Sequence, residues 1–259
     1  MIYINNEEKA NNLKSLENHY VITDFDRTLT TKASEPSMGI IPQYLGGEYL
    51  KKRIEIFEYY RPLELDYKIP AHEKQQIMQE WATKSFTLLS EYITEEIVHK
   101  SLENANIYLR DGVKEFFKEM KNKNIPVILM SSGVGNIIEA FLKKEDCLFD
   151  NIEIVSNFFE FIDRKAYIDF DNIMAVSKKE HSRIPEGIRN KIEAKENALL
   201  FGDLIEDIKM MNPTKKLNTL TFGFLDDNIE QNLKRYKESF DIVLTDNADF
   251  NSIKEVLNF

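Results

Sequence analysis

Apolar and polar positions divide the chain into one helical stretch and a longer stretch in which helices and strands alternate. Between about residues 48 and 105, apolar side chains recur at the three- and four-residue spacing of amphipathic helices. One such stripe consists of Ile77, Trp81, Leu88 and Tyr92. From Arg110 onward, helical faces alternate with short, continuously apolar runs. This alternation predicts a parallel sheet built from right-handed βαβ units.

The apolar runs mark the predicted strands. The first strand begins with Val21 and Ile22, and later strands are predicted at Ile125–Met130, Ile152–Ser156, Ala198–Phe201, Thr219–Phe224 and Asp241–Thr245. Helices are predicted at Val113–Met120, Ile137–Leu142 and Ile229–Tyr236, and at the C-terminus. Residues 1–19 are predicted to form a polar helix, and Phe158–Phe170 to form a hairpin or a loop.

Together these elements predict a doubly wound parallel α/β core with a helical cap inserted after the first strand. The predicted boundaries are residues 1–32 and 110–259 for the core, and 33–109 for the cap. Within the cap, Thr94 is followed by two glutamates, which is typical of a helix start with a hydroxyl N-cap.

Composition and charge limit the class of partner. The chain of 259 residues has 34 Lys and Arg against 44 Asp and Glu, a net charge of -10. This balance argues against a nucleic acid or an anionic membrane as partner. Cys147 is the only cysteine, so no intrachain disulfide is possible, and we find neither a signal peptide nor an apolar run of transmembrane length. We therefore expect a cytoplasmic protein.

Candidate chemistry begins in the segment Tyr20–Thr30, which reads YVITDFDRTLT. Asp24 and Asp26 follow the first strand one residue apart, and two such carboxylates are costly unless a cation lies between them. Alternation places both side chains on one side of the chain, beyond the carboxyl end of the strand, where open α/β sheets bind ligands. Thr28 can fix the turn that carries Asp26. The alternative is an ordinary strand-to-turn junction, where Asp and Thr are common.

Two later segments supply groups for a phosphoryl-transfer site. Ser131, Ser132 and Gly133 follow a predicted strand and precede a helix, so their hydroxyls and backbone N–H groups can hold a phosphate. Asp203 follows Gly202 at the end of another predicted strand, in a position suited to a metal ligand.

The remaining candidates are an acid and a lysine. Asp207 is either a supporting partner of the metal site or an acid at a helix start. Lys178 and Lys179 both lie between the two later segments, and we assign Lys178 as the cation that neutralises phosphate oxygens, with Lys179 as the alternative.

The order of these segments resembles that of the haloacid dehalogenase-like (HAD) phosphatases, whose first aspartate becomes phosphorylated. The D-x-D-x-T-L-T pattern carries the resemblance, and it implies a HAD-like Rossmannoid core. Asp24 is then the nucleophile, and Asp26 protonates the leaving alkoxide and later activates water. Mg2+ is expected on Asp24, on the backbone carbonyl of Asp26 and on Asp203. Ser131 and backbone N–H groups near Gly133 are expected to hold phosphate oxygens.

Further segments resemble the cytosolic pyrimidine 5'-nucleotidase family, type III. They are Tyr59–Asp66, Glu80–Ser85, Ser131–Glu139, Ile154–Phe161 and Phe240–Thr245, within a similarity that runs from about Val21 to Leu257. The resemblance implies a helical-bundle cap over the core, with Glu64 reading the base and Ser85 assisting it. Trp81 is a candidate for stacking on the base.

The expected substrate is therefore a nucleoside 5'-monophosphate, with a pyrimidine base favoured, and a monomer is compatible with the sequence. Three departures from the animal enzymes of the family bear on base selectivity. Residues 31–42 differ, Phe86 stands where a histidine is familiar, and Ser177-Lys178-Lys179 replaces an Asn-Lys-His run.

Other functions compete with this interpretation. A HAD phosphatase for a small ester such as phosphoserine would need a cap arginine for the substrate carboxylate, and Arg53 or Arg61 can serve. A receiver-type signalling module shares an acidic Mg2+ site but lacks a long helical insert. A catalytically inactive binding protein is disfavoured because every expected catalytic group is present.

Overall fold

A seven-stranded sheet forms the centre of the molecule. The computed structural model describes residues 1–13, 16, 18–66, 68–175, 179–213 and 218–257. Its strands are β1 (Ile2–Ile4), β2 (His19–Thr23), β3 (Val127–Val134), β4 (Ile152–Asn157), β5 (Glu160–Ile162), β6 (Lys165–Tyr167), β7 (Asn197–Gly202), β8 (Asn218–Leu225) and β9 (Ile242–Thr245). The large sheet has the order β1-β9-β8-β7-β2-β3-β4, and β5 and β6 form a separate hairpin. The hairpin confirms the prediction for this segment.

Strand β2 is an interior strand of the sheet, and all five of its residues are buried. It pairs in parallel with β3 and with β7, so that Val21 lies opposite Val127 on one side and Leu199 on the other. Parallel neighbours end at the same edge of a sheet. The residues that follow β2, β3 and β7 are therefore brought together there.

Helices cover both faces of the sheet, as the alternating pattern predicts. They are α1 (Glu7–Asn12), α2 (Gly46–Leu65), α3 (Ala71–Ser90), α4 (Glu95–Ser101), α5 (Val113–Asn122), α6 (Gly135–Lys144), α7 (Glu186–Glu193), α8 (Ile229–Ser239) and α9 (Phe250–Leu257). One apolar cluster contains buried residues of α1, α5, α6 and α9, and a second contains those of α7 and α8. A mostly parallel sheet with both faces covered is the doubly wound arrangement.

The segment between β2 and α5 is helical, and its described residues contain α2, α3 and α4 and no strand. Thr30 pairs with Leu109 in an antiparallel bridge at the point where this segment leaves the core and returns to it. Thr94 caps α4, because its hydroxyl accepts a hydrogen bond of 3.2 Å from Ile97 N. These features agree with an inserted helical segment, while the exact boundary of a cap stays a prediction.

Helices α2 and α3 are joined by aromatic packing. The ring of Tyr60 on α2 stacks on that of Trp81 on α3, with centroids 5.9 Å apart and planes 8° apart. At the other end of α3, buried Phe86 packs on Phe159, 5.9 Å away, and so ties the helical segment to the core.

Two predictions about the strands are wrong. Residues 1–19 are not one helix, because β1 precedes α1 and pairs antiparallel with β9, with Ile2 opposite Leu244. This edge strand has three residues and only half-buried or exposed positions, so its pattern is too short to stand out. Strand β3 also continues through Ser131–Gly133 to Val134, with a register shift against β4 after Met130.

Among the described residues, none of the helices combines the length and apolar character that crossing a bilayer requires.

Candidate active site

Asp24 lies directly after β2 and is almost completely buried, with 4% of its surface exposed. Its backbone N–H donates to Phe201 O on β7 over 3.0 Å, which continues the β2–β7 pairing beyond the strand. The Thr28 hydroxyl lies 3.5 Å from Asp24 Oδ2. The sheet therefore fixes the backbone of Asp24, and Thr28 contacts its carboxylate. The predicted role of Thr28 in fixing the turn that carries Asp26 stays a prediction.

Lys179 supplies the cation that the paired carboxylates require. Its ammonium lies 2.8 Å from Asp24 Oδ1 and 2.5 Å from Asp207 Oδ1, and its side chain is 3% exposed. Burial lowers the pKa of Lys179, but the carboxylates of Asp207, Asp24 and Asp203 outweigh burial and raise it overall. Lys179 therefore stays charged. Lys178, our sequence-based choice, lies outside the described residues.

Asp203 and Asp207 complete an acidic cluster with Asp24. One carboxylate oxygen from each residue lies within 4.8 Å of the others. Burial raises the pKa of Asp24 to about 7, although Lys179 opposes it, and burial with the neighbouring carboxylates Asp24 and Asp207 raises the pKa of Asp203 well above its ordinary value. Burial is the larger cause of both shifts and the neighbouring carboxylates add to it, and a cation bound by oxygen ligands would favour the ionised forms.

Gly202 is required for this cluster to form. A Cβ atom at this position would lie 2.5 Å from Asp207 Oδ2, closer than unbonded atoms approach. Asp207 also accepts a hydrogen bond of 3.0 Å from Leu204 N, so its carboxylate is held by the turn after β7 as well as by Lys179. Asp207 is fully buried; it lies in the first turn of the short helix Ile205–Met210, and its carboxylate also contacts Lys179.

Asp26 is held by Ser37, a residue that the sequence analysis missed. Ser37 is fully buried, and both its backbone N–H and its hydroxyl donate to Asp26 over 2.9 Å. Burial raises the pKa of Asp26, and the two bonds from Ser37 partly lower it. No sequence signal identified Ser37, because it lies in a turn-rich segment without periodicity.

The predicted phosphate-binding segment lies beside Asp26. Ser131 is buried, and its hydroxyl accepts a hydrogen bond of 3.1 Å from Gly133 N. A Cβ atom on Gly133 would lie 2.0 Å from Ser37 Oγ and 3.3 Å from both Asp26 Oδ2 and Ser131 Oγ. Only glycine fits at this position, because the Ser37 hydroxyl occupies the place of a Cβ atom. Ser132 is half-buried, and its carbonyl accepts from Asn157 Nδ2 over 2.9 Å.

A buried arginine, also missed by the sequence analysis, supports the loop that carries the aspartates. Arg110 donates to Thr28 O over 3.0 Å and to Arg27 O over 2.7 Å, and it pairs with buried Asp226 at 2.5 Å. The guanidinium also lies over the ring of Phe224, 4.3 Å from its centroid. Arg110 therefore links the loop after β2 to the end of β8.

The three residues predicted to contact the base do not all line the same cavity. Trp81 and Ser85 line a cavity of about 100 Å³ between α2 and α3. Met38, which follows Ser37 in the sequence, lines the same cavity. Glu64 does not line it, and its carboxylate is instead paired with Arg61. Lys74 Nζ also donates to the Glu64 carbonyl over 2.8 Å.

The comparisons with known proteins point to one group of phosphatases. A family model described as Pyrimidine 5'-nucleotidase (UMPH-1) matches residues 20–259. A 7-methylguanosine phosphate-specific 5'-nucleotidase of Homo sapiens is 32% identical, over 86% of this chain and 78% of its own length. The protein of that name from Drosophila melanogaster is 28% identical, over 93% of this chain and 80% of its own length.

Solved structures agree in fold. The crystal structure of cytosolic 5'-nucleotidase IIIB bound to cytidine superposes with a TM-score of 0.85 at 28% identity, covering 99% of this chain and 92% of its own. A phosphoserine phosphatase with an analogue of its phospho-aspartyl intermediate gives a TM-score of 0.54 at 21% identity, covering 91% of this chain and 97% of its own. This second likeness shows a shared HAD-type α/β fold, as the sequence predicts.

Proposed function

Because the chain belongs to the pyrimidine 5'-nucleotidase (UMPH-1) family, we propose that it hydrolyses nucleoside 5'-monophosphates with Mg2+, through phosphorylation of Asp24. The observation that carries this proposal is the ion pair of Lys179 with Asp24 and Asp207, beside Asp203. A buried carboxylate held by a buried cation, at the sheet edge where ligands bind, suits attack on a phosphate. Asp24 and Asp26 would supply the nucleophile and the acid–base group that the reaction needs.

The metal site follows from the chemistry of its donors. Asp24 and Asp203 would hold Mg2+ through carboxylate oxygens, and the backbone carbonyl of Asp26 would be a third protein ligand. Such a small set of hard oxygen ligands suits a cation that keeps several waters. When bound, the cation lets an anionic nucleophile approach an anionic phosphate. Asp207 would support the site by holding Lys179.

Two aspartates would carry out the chemical steps of the reaction. Asp24 Oδ would attack phosphorus as the ester bond to the nucleoside breaks, and Asp26, held by Ser37, would give its proton to the departing 5'-oxygen. Asp26 would then take a proton from the water that cleaves the aspartyl phosphate. This assignment is supported by the position of Asp26 beside Gly133 and Ser131.

The phosphate oxygens would be held by the residues that surround these aspartates. Ser131 would donate from its hydroxyl and Ser132 from its backbone N–H, near the end of β3. Gly133 N–H would join them after leaving Ser131 Oγ, to which it now donates. Lys179 would be the phosphate-binding cation. Its position supports this role, because its ammonium already contacts the proposed nucleophile, Asp24. Preorganised donors of this kind stabilise charge that develops in the transition state.

The nucleoside would extend from this centre toward the cavity between α2 and α3. Trp81 and Ser85 line that cavity, so they are the proposed contacts for the base. Glu64 would reach a base only after leaving Arg61, which makes its base-reading role conditional on a rearrangement. The helical segment would act as a cap over the core, and the enzyme would work in the cytoplasm.

A substrate panel tests the proposal. Purified protein with Mg2+ is given the common nucleoside 5'- and 3'-monophosphates, 7-methylguanosine 5'-monophosphate, ribose 5-phosphate and phosphoserine, and phosphate release is measured. We expect the highest kcat/KM among 5'-nucleotides and little release from 3'-nucleotides. If phosphoserine is the best substrate, the protein is a small-ester phosphatase and the nucleotidase proposal is wrong.

A further inference from the structure

The cavity between α2 and α3 contains one charged residue among the described residues that line it. These residues are Met38, Tyr49, Arg53, Ile56, Phe57, Trp81, Ser85 and Leu88. Arg53 brings a positive charge to a lining that is otherwise aromatic, aliphatic or neutral. Arg53 is half-buried and lies near Tyr49. Burial raises the pKa of the Tyr49 phenol, and the positive charge of Arg53 partly lowers it.

Among the residues that the structure describes, Arg53 has no ion-pair partner. Two glutamates of the same helix are already paired, Glu48 with Lys52 and Glu64 with Arg61. Across the described part of the chain, no carboxylate oxygen lies within ion-pair distance of the Arg53 guanidinium. A ligand in the cavity would therefore meet an uncompensated cation.

We propose that Arg53 determines base specificity by favouring nucleotides with a neutral base and rejecting a cationic one. The inference rests on the proposed nucleotidase function and names the substrate class for that site. A neutral base presents carbonyl oxygens or ring nitrogens, which accept hydrogen bonds from a guanidinium. The 7-methylguanine ring, in contrast, carries a positive charge because its N7 is quaternised. Like charges in a partly desolvated cavity repel each other.

This selectivity would separate the chain from the relatives that are named for 7-methylguanosine phosphate. Trp81 by itself would attract a cationic ring through its π face. The carboxylate of Glu64, which would strengthen that attraction, is held outside the cavity by Arg61. The positive charge of Arg53 would repel a cationic base and so oppose its attraction to Trp81. The two effects act at close range because the cavity is only about 100 Å³.

The test compares two substrates that differ by one methyl group and one charge. We would measure kcat/KM for GMP and for 7-methyl-GMP below neutral pH, where the methylated ring keeps its full positive charge. CMP serves as a second neutral-base nucleotide. The variants are Arg53→Leu, which removes the charge, Arg53→Lys, which keeps it, and Lys51→Leu, which removes an exposed charge from the same helix.

We expect wild type to prefer GMP and CMP over 7-methyl-GMP. Arg53→Leu should shift the ratio of kcat/KM toward 7-methyl-GMP by about tenfold or more, the size of a close like-charge repulsion in a partly exposed site. Arg53→Lys and Lys51→Leu should keep the ratio of wild type. The conservative variant separates an effect of charge from an effect of cavity shape.

Three outcomes would overturn the inference. In the first, the ratio is the same in Arg53→Leu as in wild type. In the second, Arg53→Lys shifts it as far as Arg53→Leu does, so that shape and not charge decides. In the third, wild type already prefers 7-methyl-GMP. All three leave the nucleotidase proposal standing, whereas wild type that hydrolyses none of the three nucleotides would refute both.

Discussion

The backbone N–H and the hydroxyl of Ser37 each donate a hydrogen bond of 2.9 Å to Asp26, one to each carboxylate oxygen. The proposed acid–base group is therefore held in one orientation by a single residue eleven positions further along the chain. Ser37 Oγ also packs against Gly133, where it occupies the place of a Cβ atom. Ser37 thus links Asp26 to the predicted phosphate-binding segment.

Replacement of Ser37 by alanine should lower kcat for nucleotides by about 10- to 150-fold, because one hydrogen bond to a charged group, worth ~1.5–3 kcal/mol, is removed while the backbone bond stays. The matched control is Ser34→Ala in the same segment, where the hydroxyl instead donates to Tyr108 O. Steady-state phosphate release from both variants checks the prediction. If Ser37→Ala loses no more activity than Ser34→Ala, Ser37 does not position Asp26.

Asp26→Asn should affect substrates according to their leaving group. Asparagine cannot donate a proton to an alkoxide, but a nitrophenolate leaves without one. We expect nucleotide hydrolysis to fall much further than formation of phosphoenzyme from p-nitrophenyl phosphate, measured after rapid acid quench. An equal loss on both substrates would show that Asp26 acts structurally.

The effect of Mg2+ on thermal stability should depend on pH. Burial raises the pKa of Asp24 from 3.8 to about 7, so the folded, metal-free protein holds this proton more tightly than the unfolded chain does. Its contribution to stability is therefore present at low pH and is lost as pH rises from about 4 through about 7. A cation binds the ionised carboxylates and restores stability where they are charged.

We therefore expect the gain in Tm on adding Mg2+ to be larger at about pH 8 than at about pH 5, because Asp24, with its pKa of about 7, is more fully ionised at the higher pH. Differential scanning calorimetry with and without the ion at each pH gives the two gains, and all groups remote from the site cancel. The Asp203→Asn variant is the control and should show a smaller gain. Equal gains at both pH values would contradict a site made of these carboxylates.

Arg110→Met should destabilise the protein by roughly 3–5 kcal/mol, because Asp226 would be left buried without its partner. The side chains of this pair are 1% and 3% exposed. Chemical denaturation measures the free energy of unfolding. Lys143→Ala, which breaks an exposed pair with Glu139, is the comparison and should change little. A small effect of Arg110→Met would mean that the loop after β2 is held by other contacts.

Some of the site is predictable from local sequence and some of it is not. The positions of Asp24 and of Asp203 after their strands are predictable because strand ends are visible as apolar runs that stop at an acid. The choice between Lys178 and Lys179 is not predictable from a polar segment without periodicity. Lys179 follows β4 and the β5–β6 hairpin in the chain, and only the tertiary structure shows that it contacts Asp24 and Asp207.

Contacts between distant segments account for what the sequence left out. Ser37 and Arg110 act on the loop after β2 from other parts of the chain, so no local pattern reports them. Glu64 was chosen by resemblance alone, and its pairing with Arg61 one turn earlier on α2 depends on side-chain geometry. Strand β1 exists because β9 offers a free edge, which a three-residue pattern cannot reveal.

The central claim is that Asp24 carries out nucleotide hydrolysis, and Asp24→Asn tests it most directly. Phosphate release from a nucleoside 5'-monophosphate is measured for wild type and variant in saturating Mg2+, after circular dichroism has shown that both are folded. Asparagine keeps the shape of the side chain but is neither a nucleophile nor an anionic ligand, so we expect activity to disappear. Turnover by Asp24→Asn within about tenfold of wild type would contradict covalent catalysis by this residue.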